Sequence, residues 1–296
     1  MMRLPAAIVQ ARQVRTENPT LEYALLPVAL STLAKGDTAA AGDAYKRLAD
    51  MSPVGASLAN LGLADLEMYV GRPANAVPLL NIGIAADRKD GSALRLSQKY
   101  AALADAYVAL GDKGRAADAA TQAVAASRRE STAFPAALAL LDAGREDAAR
   151  KIAADLEGML QRQTTAYARL ITGGIAARRG RIVDAIDAFR DAQKRHDSWF
   201  SRFLLGKAYV EAGHFPEALA ELEMCLKRRG ETMDVFFYDL PTARYLPQLY
   251  YWLGRAQEGV GLASDASRSF ETFLALRPDA PRDPLVVDAR RRITPR

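Results

Sequence analysis

Cysteine and histidine are almost missing from these 296 residues: the chain has one thiol, Cys225, and two imidazoles, His196 and His214. A single cysteine cannot close an intramolecular disulfide or build a cysteine-based zinc site, and two histidines leave little for catalysis or metal ligation. Disulfide scaffolds and zinc modules are therefore excluded. No run of 18 or more apolar residues is present, and residues 1 to 18 lack the apolar core of a secretory leader, so no membrane-spanning segment is expected and the expected location is cytoplasmic. Also absent are a phosphate-cradling G-x-x-x-x-G-K-[ST] loop and a G-x-S-x-G nucleophile elbow. No catalytic residue, metal site or cofactor is predicted.

What the chain has in excess is alanine, 58 residues, beside 20 glycines and 14 prolines. Half of the residues are hydrophobic and a quarter charged, which gives ample apolar surface for burial and argues against disorder. Alanine at this level favours helix, and the glycines and prolines are enough to divide the chain into many short helices. The expected class is all-α.

The punctuation is periodic. Gly36, Gly71, Gly111, Gly144, Gly180, Gly213 and Gly261 are each followed five residues later by an alanine: Ala41, Ala76, Ala116, Ala149, Ala185, Ala218 and Ala266. Four positions beyond these stand Tyr45, Leu80, Ala120, Ala153, Phe189, Leu222 and Phe270, all apolar and at the spacing of one helical face. The physical reading is a helical hairpin. Glycine supplies the left-handed turn, alanine lets the two helices approach closely, and the larger residue fills the gap to the next hairpin.

The glycine intervals of 35, 40, 33, 36, 33 and 48 residues cluster near 34, and the sequence resembles tetratricopeptide repeats. The sixth repeat places Leu205, Gly206, Tyr209, Gly213, Ala218, Leu222 and Cys225, and the seventh Leu253, Gly254, Gly261, Ala266, Phe270 and Pro278, at the hallmark positions. Cys225 then fills a small apolar position as an inert thiol. The resemblance implies an α-solenoid, a right-handed superhelix of seven hairpins with a C-terminal capping helix. Repeats are expected at 22–55, 57–90, 97–129, 130–163, 166–198, 199–232 and 247–280, with an aromatic insertion at 233–246 and a cap within 281–296. Residues 1–21 are expected to carry the remains of a preceding helix, a hint of a truncated start. Pro73 and Pro216 suit helix starts, and Pro53 and Pro278 are expected to follow helix ends. Pro27, Pro78 and Pro135 fall inside expected helices and predict kinks or shifted boundaries.

Such a stack presents a concave groove lined by its first helices. The register places Leu61, Asp65, Met68, Ala101, Asp105, Tyr167, Leu170, Phe203, Lys207, Tyr251 and Arg255 there, a mixed and partly apolar lining suited to a protein or peptide. The lysine and asparagine set with which some tetratricopeptide proteins clamp acidic chaperone tails is missing. Residues 234 to 252 hold seven of the 22 aromatics. Within them Phe236, Phe237, Tyr238 and Tyr245 offer either a recognition surface or, the preferred reading, an ordered segment folded over the stack, because an open patch of this kind promotes aggregation. The net charge is +5 with basic clusters at Arg128-Arg129, Arg178 to Arg181, Lys194-Arg195, Lys227 to Arg229 and Arg290 to Arg292. Most lie near expected helix C-termini, where cations complement the helix dipole, so nucleic acid is not the expected partner.

The last hundred residues carry a second resemblance. Residues 197–213, 225–231, 245–255 and 283–293 resemble the C-terminal tetratricopeptide half of bacterial eukaryotic-like serine/threonine protein kinases and related signalling proteins. The catalytic domain of those proteins lies N-terminal, and none of its motifs occurs here: Arg195-His196-Asp197 has the letters of H-R-D in the wrong order. The expected function is a non-enzymatic protein-interaction scaffold, the regulatory part of a bacterial signalling protein. The alternative is a ligand-sensing or nucleic-acid-linked regulatory domain coupled to an output domain outside these residues.

Overall fold

The computed structural model describes residues 25–233 and 243–293. Among them the regular structure is entirely helical. The helices pair in sequence: α1 (Leu25–Leu33) with α2 (Thr38–Ala49), α3 (Pro53–Val70) with α4 (Pro73–Asp90), α5 (Ala93–Ala109) with α6 (Lys113–Ala126), and α7 (Glu130–Asp142) with α8 (Glu146–Gly158). After them come α9 (Arg162–Arg178) with α10 (Ile182–Arg195), α11 (Trp199–Ala212) with α12 (Phe215–Lys227), α13 (Leu246–Gly259) with α14 (Ala263–Leu276), and a final helix α15 (Pro284–Ile293). Two 3₁₀ turns, Arg229–Met233 and Ala243–Tyr245, flank the chain that joins α12 to α13. The expected helix remnant in residues 4–15, and Phe236, Phe237 and Tyr238, lie outside the described residues.

The seven glycines sit in the turns inside the pairs with φ between +73° and +90°, a conformation that costs other residues a clash at Cβ. All seven partner alanines and all seven apolar residues beyond them are buried. The larger residues pack differently from the expectation, however. Phe189, Leu222 and Phe270 press on Gly173, Gly206 and Gly254 of the first helix in their own hairpin, whereas Tyr45 reaches forward, onto Gly62 of the next pair. A glycine on the first helix is the hole into which the second helix sets its knob.

Local signals start the helices. Ser52 accepts from the Gly55 amide at 2.9 Å, and Ser198 and Ser201 form a reciprocal capping box at the start of α11. Pro53 follows the end of α2 at Ala49, as expected, and also opens α3, where its missing N–H is no loss. Pro78 and Pro135 lie inside α4 and α7 without breaking them, so the packed stack outweighs the local penalty. Pro27 falls in the first turn of α1, where no intrahelical donor is needed.

The two ends of the stack meet. In the turn between α14 and α15, Arg277 donates to the Met68 carbonyl at the end of α3 at 3.1 Å, Asp279 lies 3.5 Å from Arg72, and the Ala280 methyl rests on Gly71. The seventh hairpin thus returns to the second.

Candidate functional site

The first helices of the hairpins bring Asp65 from α3 and Asp105 from α5 side by side. Between them lies an arginine that the sequence reading did not single out. Arg244, from the 3₁₀ turn before α13, donates from Nε to Asp105 Oδ2 at 2.7 Å and from Nη1 to Asp65 Oδ1 at 3.0 Å, while its Nη2 lies 2.6 Å from Asp105 Oδ2. Its neighbour Tyr245 donates its hydroxyl to the same Asp105 oxygen at 2.5 Å. The guanidinium also stands 5.1 Å from the Tyr245 ring. Arg244 is only 6% exposed, so four polar side chains separated by up to 179 residues in sequence meet in the interior.

The electrostatics follow from that burial. It works against the charged guanidinium, but the Asp105 and Asp65 carboxylates outweigh it and hold the Arg244 pKa well above the ordinary arginine range. Burial, reinforced by the Asp105 carboxylate, raises the Tyr245 phenol well above its usual range, which keeps it a donor. Burial also raises the Asp65 pKa, with Arg244 pulling the other way and Asp105 adding to the rise. Two carboxylates share one guanidinium, so the cost of burying the second negative charge is only partly offset.

An aromatic ladder continues from Tyr245 into the first helices of later hairpins. Phe200 of α11 meets the Tyr245 ring edge to face at 5.2 Å and Phe134 of α7 at 5.1 Å; Phe134 meets Tyr167 of α9 at 5.0 Å. Phe203 stacks on Trp199 at 5.0 Å and touches Phe200 at 6.1 Å. Of the groove candidates, the structure therefore gathers Asp65 and Asp105 into the polar cluster with Tyr245, and Tyr167 and Phe203 into the ladder beside it. The others lie apart. Met68 is at the contact with Arg277. Lys207 lies over the Trp252 ring at 5.2 Å and 3.8 Å from Glu211. Tyr251 donates to Asp288 of α15 at 2.8 Å and accepts from Arg255 at 3.2 Å, so this pair faces the final helix.

A second buried polar cluster lies between the second and third hairpins. Lys99 of α5, 1% exposed, donates to Asp87 of α4 at 2.5 Å and to Ser57 of α3 at 2.8 Å, and Ser57 donates to Asp87 at 2.6 Å. Burial lowers the Lys99 pKa, opposed by Asp87.

Cys225 is buried, its Sγ 3.6 Å from the Trp199 carbonyl, and burial pushes its pKa up, away from thiolate chemistry. His214 is exposed at the start of α12, 4.0 Å from Glu217. Many of the basic clusters are tied to acids: Arg178 to Asp142, Arg179 to Glu146, Arg228 to Asp197 and Glu231, and Arg292 to Glu258 and Asp288. Among the described residues no helix is long and apolar enough to cross a membrane, and no group of three or more His, Cys, Asp or Glu side chains could hold a metal ion.

Helix pairs closed by left-handed glycines, with a small residue at each close approach, define the architecture, and solved structures agree. A tetratricopeptide repeat protein from Parabacteroides merdae aligns over 92% of this chain and 97% of its own with a TM-score of 0.50 and 15% identity. The chain has the tetratricopeptide-repeat fold. The APC/C hetero-tetramer Cut9-Hcn1 aligns over 99% of this chain with a TM-score of 0.52 and 14% identity, and this chain spans 53% of that one. No protein-family model matches the sequence, and no curated protein does. In this stack two acids on the first helices, Asp65 and Asp105, are engaged by an arginine of the same chain.

Proposed function

We propose that the chain is a non-enzymatic protein-interaction scaffold whose recognition surface is the inner face of the tetratricopeptide stack. What supports this reading is that acids on successive first helices, Asp65 and Asp105, lie beside a ladder of aromatic rings, a mixture of charged and apolar side chains that suits a peptide once the Ala243–Tyr245 turn no longer covers it. The resemblance of the last hundred residues to bacterial eukaryotic-like kinases supports a place in a signalling protein, in the cytoplasm, as its regulatory part. The pairing of many basic clusters with acids favours a protein partner over nucleic acid, because a paired cation releases fewer counterions from a phosphate backbone.

The test places a photo-crosslinking residue at Lys207, one turn beyond Phe203 on the same side of α11 and with its side chain 40% exposed, or, in a separate protein, at Ile82 on the second helix α4, 60% exposed. A partner cross-linked from Lys207 and not from Ile82 supports the inner face. Cross-linking from Ile82 alone overturns it.

A further inference from the structure

The strongest unexplained contact is the one that joins residue 244 to residues 65 and 105. Arg244 is a poor choice for a residue that merely fills space. A buried ion pair seldom adds stability over an apolar replacement of similar size, so stability by itself does not account for Arg244. The arrangement around it also has the form of peptide recognition. A guanidinium is gripped by carboxylates from two adjacent helices, the next side chain adds a hydroxyl to one of those carboxylates, and the ring of that side chain lies edge to face on Phe200. The backbone carrying both side chains is the three-residue 3₁₀ turn Ala243–Tyr245, which leads directly into α13 with Tyr245 as its N-cap.

We propose that Asp65, Asp105 and Phe200 form a binding site for an arginine followed by an aromatic residue, and that Arg244-Tyr245 occupies it in cis as an internal ligand which a partner peptide of the same chemistry must displace. The proposal rests on the reading of the inner face as the recognition surface and adds the chemistry of what is recognised. Charge sets the arginine: two carboxylates accept its fork from different sides. Phe200 and the free acceptor capacity of Asp105 set the tyrosine beside it. Because the internal copy is always present at high effective concentration, an outside peptide sees only the small fraction of molecules in which the site is open, and its apparent affinity falls by that fraction.

The experiment titrates a labelled, end-capped peptide of residues 241–247, Pro-Thr-Ala-Arg-Tyr-Leu-Pro, into the full chain by fluorescence anisotropy. Arg244→Ala is expected to bind the peptide at least about tenfold more tightly than the unaltered chain. Adding Asp65→Asn and Asp105→Asn to Arg244→Ala, or changing the peptide's arginine to alanine, is expected to abolish binding. Equal binding by Arg244→Ala and the unaltered chain, or none by a folded Arg244→Ala, overturns the proposal. If Arg244→Ala does not fold, Asp65→Asn with Asp105→Asn in the otherwise unaltered chain answers instead: trypsin should cut after the buried Arg244 faster than in the unaltered chain, while the helical content stays constant. Protection that persists overturns the proposal. The scaffold reading fails separately, through cross-linking from Ile82 alone. A chain that binds the peptide but captures its partner outside the groove keeps the site and loses the scaffold assignment.

Discussion

Lys99 sits where an apolar residue is the rule, inside the contact between the second and third hairpins, with Asp87 and Ser57 as its company. Its stem leaves no room for a side chain at position 83, where glycine lets the charged group reach Asp87. A lone buried charge is far more costly than a pair, so truncating one member exposes that cost. Lys99→Ala is expected to destabilise the fold by about 3 to 5 kcal/mol, because Asp87 is left with only part of its compensation. Lys99→Met combined with Asp87→Leu should destabilise less than Lys99→Ala alone. Urea denaturation of the unaltered chain, Lys99→Ala and the double variant checks this, and a cycle that adds Lys99→Met and Asp87→Leu singly measures the coupling, simple additivity showing that the residues do not act as a pair. The alternating glycines and alanines were legible in the sequence because a left-handed turn and a close helix crossing each admit few residue types. Lys99 was not, since the same letter is normally a solvated surface residue and only the packing of three helices decides otherwise.

At the level of single elements, the final helix shows how a polar contact secures an end. Asp288 on α15 accepts from Tyr251 of α13 at 2.8 Å, from Arg292 at 2.5 Å and from Arg291. Burial raises its pKa, but the hydrogen bonds from Arg292, Tyr251 and Arg291 outweigh that and lower it to about 2. The folded value lies below the unfolded value of about 3.9, so the contribution of Asp288 is complete above pH 4 and is lost as the pH falls from about 4 to about 2. Asp288→Asn should lower the melting temperature at neutral pH and flatten its decline across that window, as thermal scans from pH 7 to pH 2 would show. An unchanged acid slope in the variant would assign the acid sensitivity to other carboxylates. The capping helix could be read from its prolines and terminal arginines, whereas its anchor depends on which tyrosine of α13 faces it. The Ala243–Tyr245 turn is the opposite case. Its aromatic surroundings were visible in the sequence, but Arg244 among them was not singled out, and two aspartates on different hairpins could not be chosen without the winding of the stack.

Across the whole molecule, the return of the seventh hairpin to the second turns an extended array into a closed one. Repeat stacks normally gain stability only between neighbours and can unfold in steps. Here the contacts of Arg277, Asp279 and Ala280 with the end of α3, and of Arg244 with α3 and α5, couple distant repeats. Ala280→Arg places a long charged side chain against Gly71 and is expected to part the two ends without unfolding the hairpins. Small-angle scattering should then give a larger radius of gyration, moving away from the roughly 19 Å of a compact chain of this length, with the helical circular dichroism preserved. An unchanged radius would mean that the closing contact is replaceable.

The sequence by itself determined the all-helical class and the glycine-marked hairpins, because turn conformation and close helix approach are local requirements written into single residue types at fixed spacing. The tertiary structure alone decided that the stack closes, that Lys99 is internal, and that Asp65 and Asp105 hold Arg244. Those outcomes depend on the small rotation each hairpin adds to the next. Summed over seven hairpins, that rotation brings together residues between 139 and 209 positions apart, and no local pattern encodes it.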